Sequence, residues 1–388
     1  MSYKVLVVDD EPDLELLVRQ HFRRKIRADE ISFVFAGNGK IALEKLAEDS
    51  SIDVMMSDIN MPLMDGLTLL NAVIEKYPLL RSIIVSAYGD MKNLRTAMNN
   101  GAYDFVTKPI DFDDLEITLQ KTHTEVVAIK ESLKTKEQLV VVRKELDIGR
   151  EIQKSFLPTT IPSLEGWQFA AFFQPAKEVA GDLYDIFTLG DGTKICFILG
   201  DVCGKGVGSA LFMTLVRSLL HAFANVNIAL NDMVYQTVQM AHDYITTIHE
   251  EANMFATLFF GVLDKETGEI EYINCGHNSP LKVDAAGAVV ELEPTGPVLG
   301  MFPSNDFFVG HSKLEKGETL FIYTDGATDC TNSAIELYGE ENLLQFIKDN
   351  YSLSAQGILD ELMNTLVKHM DGHDQYDDIT LMTIKREL

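Results

Sequence analysis

Cysteine is scarce in this sequence. Cys196, Cys203, Cys275 and Cys330 are scattered with no C-x-x-C spacing, so neither a disulfide framework nor a zinc site is indicated, and reduced thiols in a cytosolic protein are expected. Positive charge is also short, with 33 Lys and Arg against 59 Asp and Glu and a net charge of -26. Nucleic acid and anionic membrane both attract a basic surface, so neither is an expected partner. No apolar run approaches membrane-spanning length, and Met1-Ser2-Tyr3-Lys4 leads directly into a strand pattern without the features of a signal peptide. A soluble, cytoplasmic protein is expected. The single tryptophan, Trp167, lies on a predicted strand and reads as core. At 388 residues the chain has room for two or three domains, each able to bury a core.

Glycine and proline are missing from Asp111 to Ile148, and this gap organises the rest. Leu115, Leu119, Val126, Ile129 and Leu133 alternate at three- and four-residue spacing, with Thr122 filling one place, which is the stripe of a helix meeting a partner. Leu139, Val142 and Leu146 restart the stripe one residue out of register, so an offset or local rewinding is expected there. Ile152 and Phe156 continue it and Pro158 stops it. A helix over 111–157 cannot cover its apolar side alone. The expectation is a signalling helix that dimerises as a coiled coil or docks on a neighbouring domain, against the plainer alternative of a spacer.

Before the helix, apolar runs at 3–8, 31–35, 54–57, 82–86 and 104–106 alternate with helical patterns at 14–24, 39–48, 67–76 and 91–100. Strict alternation predicts a doubly wound parallel sheet, which binds ligands beyond the carboxyl ends of its strands. Asp9 and Asp10 follow the first strand, Asp58 the third, Ser86 the fourth and Lys108 the fifth. Converging carboxylates repel unless a divalent cation sits between them, and oxygen-only ligation suits Mg²⁺. A lysine and a hydroxyl opposite would bind a phosphoryl group. Singly, each residue reads equally well as part of a solvated loop or a helix cap. The segments V-L-V-V-D-D-E, S-D-I-N-M-P-L-M-D-G, I-I-V-S-A-Y and D-F-V-T-K-P together resemble the receiver domain of two-component response regulators. The resemblance implies Asp58 as phospho-acceptor, Mg²⁺ held by Asp10, Asp58 and the carbonyl of Asn60 with help from Asp9, and phosphoryl oxygens bound by Ser86 and Lys108. It places Phe105 at the aromatic switch position, often tyrosine, so that a packing rotation is left as its switch motion.

After Pro158 the pattern changes to paired strands. Runs at 167–173, 184–188 and 194–200, with a turn at Gly190-Asp191-Gly192, precede helical patterns at 208–225 and 228–249. Further strands are expected at 257–264, 270–274, 280–283, 289–292, 307–314 and 318–323, helices at 339–350 and 354–370, and a last strand at 379–384. Two strand groups with helix pairs between them predict a β-sandwich covered by helices. Asp182, Asp201, Asp325, Asp377 and Asp378 stand at strand margins. Each alone reads as a turn residue. As a convergent set they call for more than one metal ion, whose chemistry would be phosphate-ester hydrolysis.

The motifs R-E-I-Q-K-S-F-L-P, A-G-D-L-Y-D, G-D-V-C-G-K-G, C-G-H-N-S-P, Y-T-D-G-A-T-D, L-Y-G-E-E-N-L and D-D-I-T-L resemble the bacterial protein phosphatase 2C subfamily that controls sporulation and stress sigma factors. The resemblance implies an α-β-β-α sandwich, two Mn²⁺ or Mg²⁺ ions, and attack of water on phosphoserine or phosphothreonine without a covalent intermediate. Asp182 and Asp201 would bridge the metals with the carbonyl of Val202 assisting, Asp325 and Asp377 would complete one shell, and Asp378 would lie just outside it or substitute. Ala180 stands where the family has glycine and Asp329 where it has glutamate. Lys205 is a weak choice for holding phosphate, and His277 and Asn278 read as loop-ordering residues.

Taken together, the expectation is a receiver over 1–123, a helical linker over 124–157 and a phosphatase domain over 158–388. A histidine kinase or phosphotransfer protein would load Asp58, the homodimeric linker would transmit the change, and the substrate would be a phosphorylated anti-sigma-factor antagonist in a partner-switching system. Two alternatives stand beside it: a silent adaptor that binds a partner, and an autonomous phosphatase.

Overall fold

The computed structural model describes residues 2–87, 90–190, 192–249, 253–304 and 306–388. Tyr88 of the I-I-V-S-A-Y motif and Asp191 of the expected turn lie outside them. The chain forms two compact units, Met1–Val142 and Arg143–Leu388.

The first unit holds β1 (Tyr3–Val8), β2 (Ile31–Ala36), β3 (Ile52–Asp58), β4 (Arg81–Ala87) and β5 (Asp104–Lys108). They form one parallel sheet in the order β2-β1-β3-β4-β5. Alternate residues of β1 enter different cores: Val5 and Val7 pack with Leu14 and Val18, whereas Leu6 and Val8 pack with Ala42 and Val73. A strand covered on both faces has no polar side to show, which explains the unbroken apolar run. The helices are α1 (Pro12–His21), α2 (Arg23–Arg27), α3 (Gly39–Glu48), α4 (Gly66–Lys76) and α5 (Met91–Asn99). The expected single helix over 14–24 is thus two, starting at Pro12, whose fixed φ suits a first turn, and breaking at Phe22, where ψ rises to 9°. Side chains of Asn38 and Asp65 cap α3 and α4 by accepting from their first free amides.

One continuous helix, α6, runs from Phe112 to Phe156, and the boundary between the units falls within it. The shift of its stripe does not interrupt the backbone: a helix can change the face it presents without unwinding. Leu115 and Leu119 belong to the core beside β1, and Thr122 and Val126 are buried. The partner of the early stripe is therefore the first unit itself. Residues 131–145 are exposed throughout, including Leu139, Val140, Val141 and Val142.

In the second unit the paired strands all run antiparallel. One sheet, β13-β10-β9-β8-β7, joins β7 (Leu183–Leu189), β8 (Lys194–Val202), β9 (Ala256–Asp264), β10 (Glu269–Cys275) and β13 (Gly310–Lys313). The other, β12-β11-β14-β15-β6, joins β6 (Trp167–Gln174), β11 (Leu281–Val283), β12 (Val289–Glu291), β14 (Thr319–Tyr323) and β15 (Ile379–Arg386). Phe197, Phe259, Ile322 and Met382 fill the space between the sheets. Helices α7 (Val207–Asn227) and α8 (Met233–Ile248) cover the first sheet, and α9 (Gly339–Asn350) and α10 (Ala355–Met370) the second. These layers make an α-β-β-α sandwich. By length and composition α7 could cross a membrane, yet Met213, Val216 and Leu220 spend that apolarity in the core against β8.

Two expected elements are shorter than their patterns. The apolar start of 228–249 is a turn, closed by the Leu230 amide on the Asn227 carbonyl, and α8 begins only at Met233. In 307–314 the Phe308 amide bonds to Thr295 outside the ladder, so β13 begins at Gly310. Replacing the fully buried Phe321, which packs β14 against α9 and α10, by alanine is expected to cost about 3–5 kcal/mol. Urea unfolding followed by circular dichroism reads this directly, and a loss near zero would mean that this layer is not packed as described.

Candidate metal centres

At the carboxyl ends of the parallel strands, oxygens of Asp9, Asp10 and Asp58 lie within 4.8 Å of one another. Among the described residues no other trio of acidic, histidine or cysteine groups is gathered so tightly. Lys108 reaches in from β5, with Nζ 2.6 Å from Asp58 Oδ2 and 3.0 Å from Asp9 Oδ2. Burial alone would lower its pKa, but the hydrogen bonds and charges of Asp58 and Asp9 prevail and hold it above the usual lysine value. Asp9 is pushed up, chiefly by burial, with the Asp58 charge adding to it. The Asn60 amide donates to Asp58 Oδ1 at 3.3 Å. Ser86 is buried at the end of β4, with its hydroxyl unpartnered among the described residues. Phe105 is half exposed on β5. A hard cation and a phosphoryl oxygen both fit this donor set.

The second cluster draws on both sheets of the sandwich. Asp182 precedes β7 and Asp201 lies near the end of β8, brought together because Leu183 pairs with Gly200. Asp325 follows β14, and Asp377 and Asp378 precede β15, so both come from the other sheet. Asp182 is fully buried, and its Oδ2 accepts hydrogen bonds from the Thr324 hydroxyl at 2.8 Å and from that of Thr380. Asp378 accepts from the amides of Ala176 and Gly181 at 2.8 and 2.7 Å. Gly326 is required here, because a Cβ on it would lie 1.8 Å from the Asp378 carbonyl oxygen. The Val202 carbonyl borders Gly181 beside Asp201. Ala180 is not among the residues with positive φ, so its methyl group costs the backbone nothing.

Burial and the charges of neighbouring carboxylates set the electrostatics of this cluster. Burial and the charge of Asp201 push Asp182 well up. Burial, then Asp325 and Asp377, raise Asp201 from 3.8 to about 7. Asp325 is raised by burial and by Asp377 and Asp329. Lys205 is the one cation paired with the set among the described residues, at 2.8 Å from Asp377. Buried carboxylates that repel one another and face few cations fit divalent metal ions, and spread over two sheets they fit more than one.

Several contributors had no individual role assigned from the sequence, although Arg150 and Gln153 lie within R-E-I-Q-K-S-F-L-P. Gln153, near the end of α6, clamps the backbone of Ala180 from both sides: its Oε1 accepts from the Ala180 amide at 3.0 Å and its Nε2 donates to the carbonyl at 2.7 Å. Arg150 donates to the Glu178 carbonyl at 2.7 Å. Lys177 is exposed on the same loop, between Ala176 and Gly181. Arg217, on α7, is committed to the buried Asp185 at 2.8 Å. His277 is buried, bonded to Thr257 at 2.9 Å through Nδ1, and Asn274 binds its backbone from both sides, so it orders the loop as expected.

This architecture is that of a receiver domain followed by a protein phosphatase 2C-type sandwich. Residues 5–120 match the response regulator receiver domain and residues 191–387 match Stage II sporulation protein E (SpoIIE); the chain belongs to the SpoIIE family and carries an N-terminal receiver domain. It is 40% identical to Protein IcfG of Synechocystis sp. over 63% of this chain and 42% of that one. It is 25% identical to phosphoserine phosphatase RsbU of Bacillus subtilis over 64% of this chain and 71% of that one. The chain therefore spans less than half the length of the first of these relatives. Among solved structures, the SiaA-PP2C domain of Pseudomonas aeruginosa superposes with a TM-score of 0.53 at 21% identity, covering 64% of this chain and 98% of that domain. The shared feature there is the fold.

The raised pKa of Asp201 has a direction that can be measured. The folded chain takes up a proton there between pH about 4 and 7, so without metal the second unit loses stability as pH rises through that window. A divalent cation bound at Asp201 would replace that proton. The rise in melting temperature caused by Mn²⁺ is expected to grow from pH 5 to pH 8, and an equal rise at both would contradict this assignment.

Proposed function

We propose that this chain is a response regulator in which phosphorylation of Asp58 controls a metal-dependent phosphoserine and phosphothreonine protein phosphatase. The observation that carries the enzyme is the gathering of Asp182, Asp201, Asp325, Asp377 and Asp378 from two sheets of the sandwich, where burial first and neighbouring carboxylates second raise the pKa of Asp182, Asp201 and Asp325. The naming of RsbU as a phosphoserine phosphatase supports the same reading. Asp182, Asp201, Asp325 and Asp377, with the Val202 carbonyl, would hold two Mn²⁺ or Mg²⁺ ions, and Asp378 would support them. Such ions, when bound, would supply Lewis acidity toward a phosphoryl group and water. Thr324 and Thr380 hold one oxygen of Asp182 and leave the other for the metal. The amides of Ala176 and Gly181 fix Asp378 in the same way.

In the receiver, Asp9, Asp10, Asp58 and the Asn60 carbonyl would hold Mg²⁺. A phosphoryl group on Asp58 takes the oxygen that Lys108 now binds, and Lys108 and Ser86 then bind the phosphoryl oxygens. Phe105 would repack in response. The added charge is transmitted by α6, whose last turns reach the Asp182 loop through Gln153 and Arg150. The exposed apolar run of α6 would pair with a second copy. The phosphoryl donor would be a histidine kinase or phosphotransfer protein, and the substrate a small phosphorylated anti-sigma-factor antagonist in the cytoplasm.

Mn²⁺-dependent release of phosphate from a phosphoserine protein is the test. A rate is expected that shifts with beryllofluoride on the receiver and vanishes in Asp201→Ala. No rate in any metal, with partner binding retained, would leave an adaptor. A rate indifferent to beryllofluoride would leave an autonomous enzyme. Gln153→Ala is expected to cost about 10–100-fold in activity or metal affinity, as loss of a group that orients a ligand loop does; a wild-type rate and isotherm would remove Gln153 from the coupling path.

A further inference from the structure

Lys205 sits beside the second cluster in a seat of its own. It is the lysine of G-D-V-C-G-K-G, in the loop between β8 and α7. Its ammonium is 2.8 Å from Asp377 Oδ2, donates to the Tyr376 carbonyl at 2.9 Å, and lies over the Tyr376 ring at 3.9 Å from the centroid. Three contacts from two consecutive residues fix one long side chain in one place, although Lys205 and Tyr376 are both exposed residues. The flanking Gly204 and Gly206 both have positive φ, 85° and 92°, so the loop is bent into a shape that places Lys205 there.

The charge of Lys205 matters beyond that pair. It offsets a small part of the rise at Asp325, and its own pKa is raised by Asp377 against the effect of burial. The same two carboxylates are those assigned above to one metal. An ammonium and a divalent cation cannot share the Asp377 oxygen without repelling each other.

We propose that Lys205 is a tethered internal cation that competes with the divalent metal for Asp377, held in readiness by Tyr376, and so weakens one metal position of the cluster relative to the other. This rests on the metal-dependent reading above, and it makes the chain's own loop, rather than the ligand set alone, the determinant of how much metal the site requires. Entry of the second ion must lift Lys205 off Asp377. Removing the charge then frees a ligand and removes a repulsion together.

The test is calorimetric titration of Mn²⁺ into the metal-free full chain, its Lys205→Met and Tyr376→Leu variants, and Asp377→Asn as the control that removes the contested ligand. Lys205→Met is expected to tighten the weaker class of sites by roughly three- to tenfold. Tyr376→Leu, which removes the seat but keeps the charge, is expected to move it in the same direction by less. Asp377→Asn should weaken that class and abolish the effect of Lys205→Met in the double variant. An unchanged isotherm in Lys205→Met, or a weaker one, overturns the proposal, since a weaker one would make Lys205 part of the metal site. Lys205 is exposed, so the variant is expected to fold, and its circular dichroism spectrum checks that. The titration needs no turnover: a chain that binds Mn²⁺ as expected here but hydrolyses nothing would refute the phosphatase and leave this inference standing.

Discussion

Repulsion between carboxylates held close together in a poorly solvated place is the constraint on which both units depend. In water the separation of such charges costs little, but burial raises the price of each and strengthens its effect on the others. The receiver meets the problem in part with Lys108, whose single charge bridges Asp58 and Asp9 at 2.6 and 3.0 Å. In the sandwich, Lys205 is the one cation paired with the five aspartates among the described residues, and Asp182 and Asp201 keep their protons above the normal carboxylate range. A fold that maintains such a cluster has its stability tied to whatever cation it was built around.

The frames that hold the two clusters are unlike, but the local device is the same. In each, a glycine lets one backbone lie against the carbonyl of a cluster aspartate: a Cβ on Gly66 would be 2.0 Å from the Asp58 oxygen, and one on Gly326 1.8 Å from that of Asp378. In each, the aspartates stand where core strands end, so the rigidity of the buried sheet is passed to side chains at its margin. Strand pairing then sets the geometry, as when the register of Leu183 with Gly200 brings Asp182 beside Asp201. The long helix joins this system from outside the sheets, and its last turns grip the Asp182 loop by the backbone.

Much of this was legible because apolar strands and aspartate-rich strand ends leave a dense local signal. The apolar run over Tyr3–Val8, the alternation up to Lys108 and the aspartates themselves could be placed by reading along the chain. The rest depends on contacts between distant residues. Thr324 and Thr380 look like ordinary strand threonines, and only the packing of β14 and β15 against the Asp182 loop turns their hydroxyls inward. Gln153 is one polar residue on a polar helix until the fold brings Ala180 to it. The stripe of α6 showed that a partner existed but not which one: Leu115 and Leu119 look the same whether they face a second helix or the sheet below them. Helix edges went astray where a turn was apolar, as at Ile228, because hydrophobicity there reflects burial rather than helical continuation.

Anomalous scattering from crystals of the full chain grown with Mn²⁺ tests the central claim most directly. The account predicts manganese peaks within bonding distance of Asp182, Asp201, Asp325 and Asp377 oxygens, with one between Asp182 and Asp201. Saturating Mn²⁺ with no peak at those carboxylates would contradict it, and the repulsion that organises the site would then need another explanation.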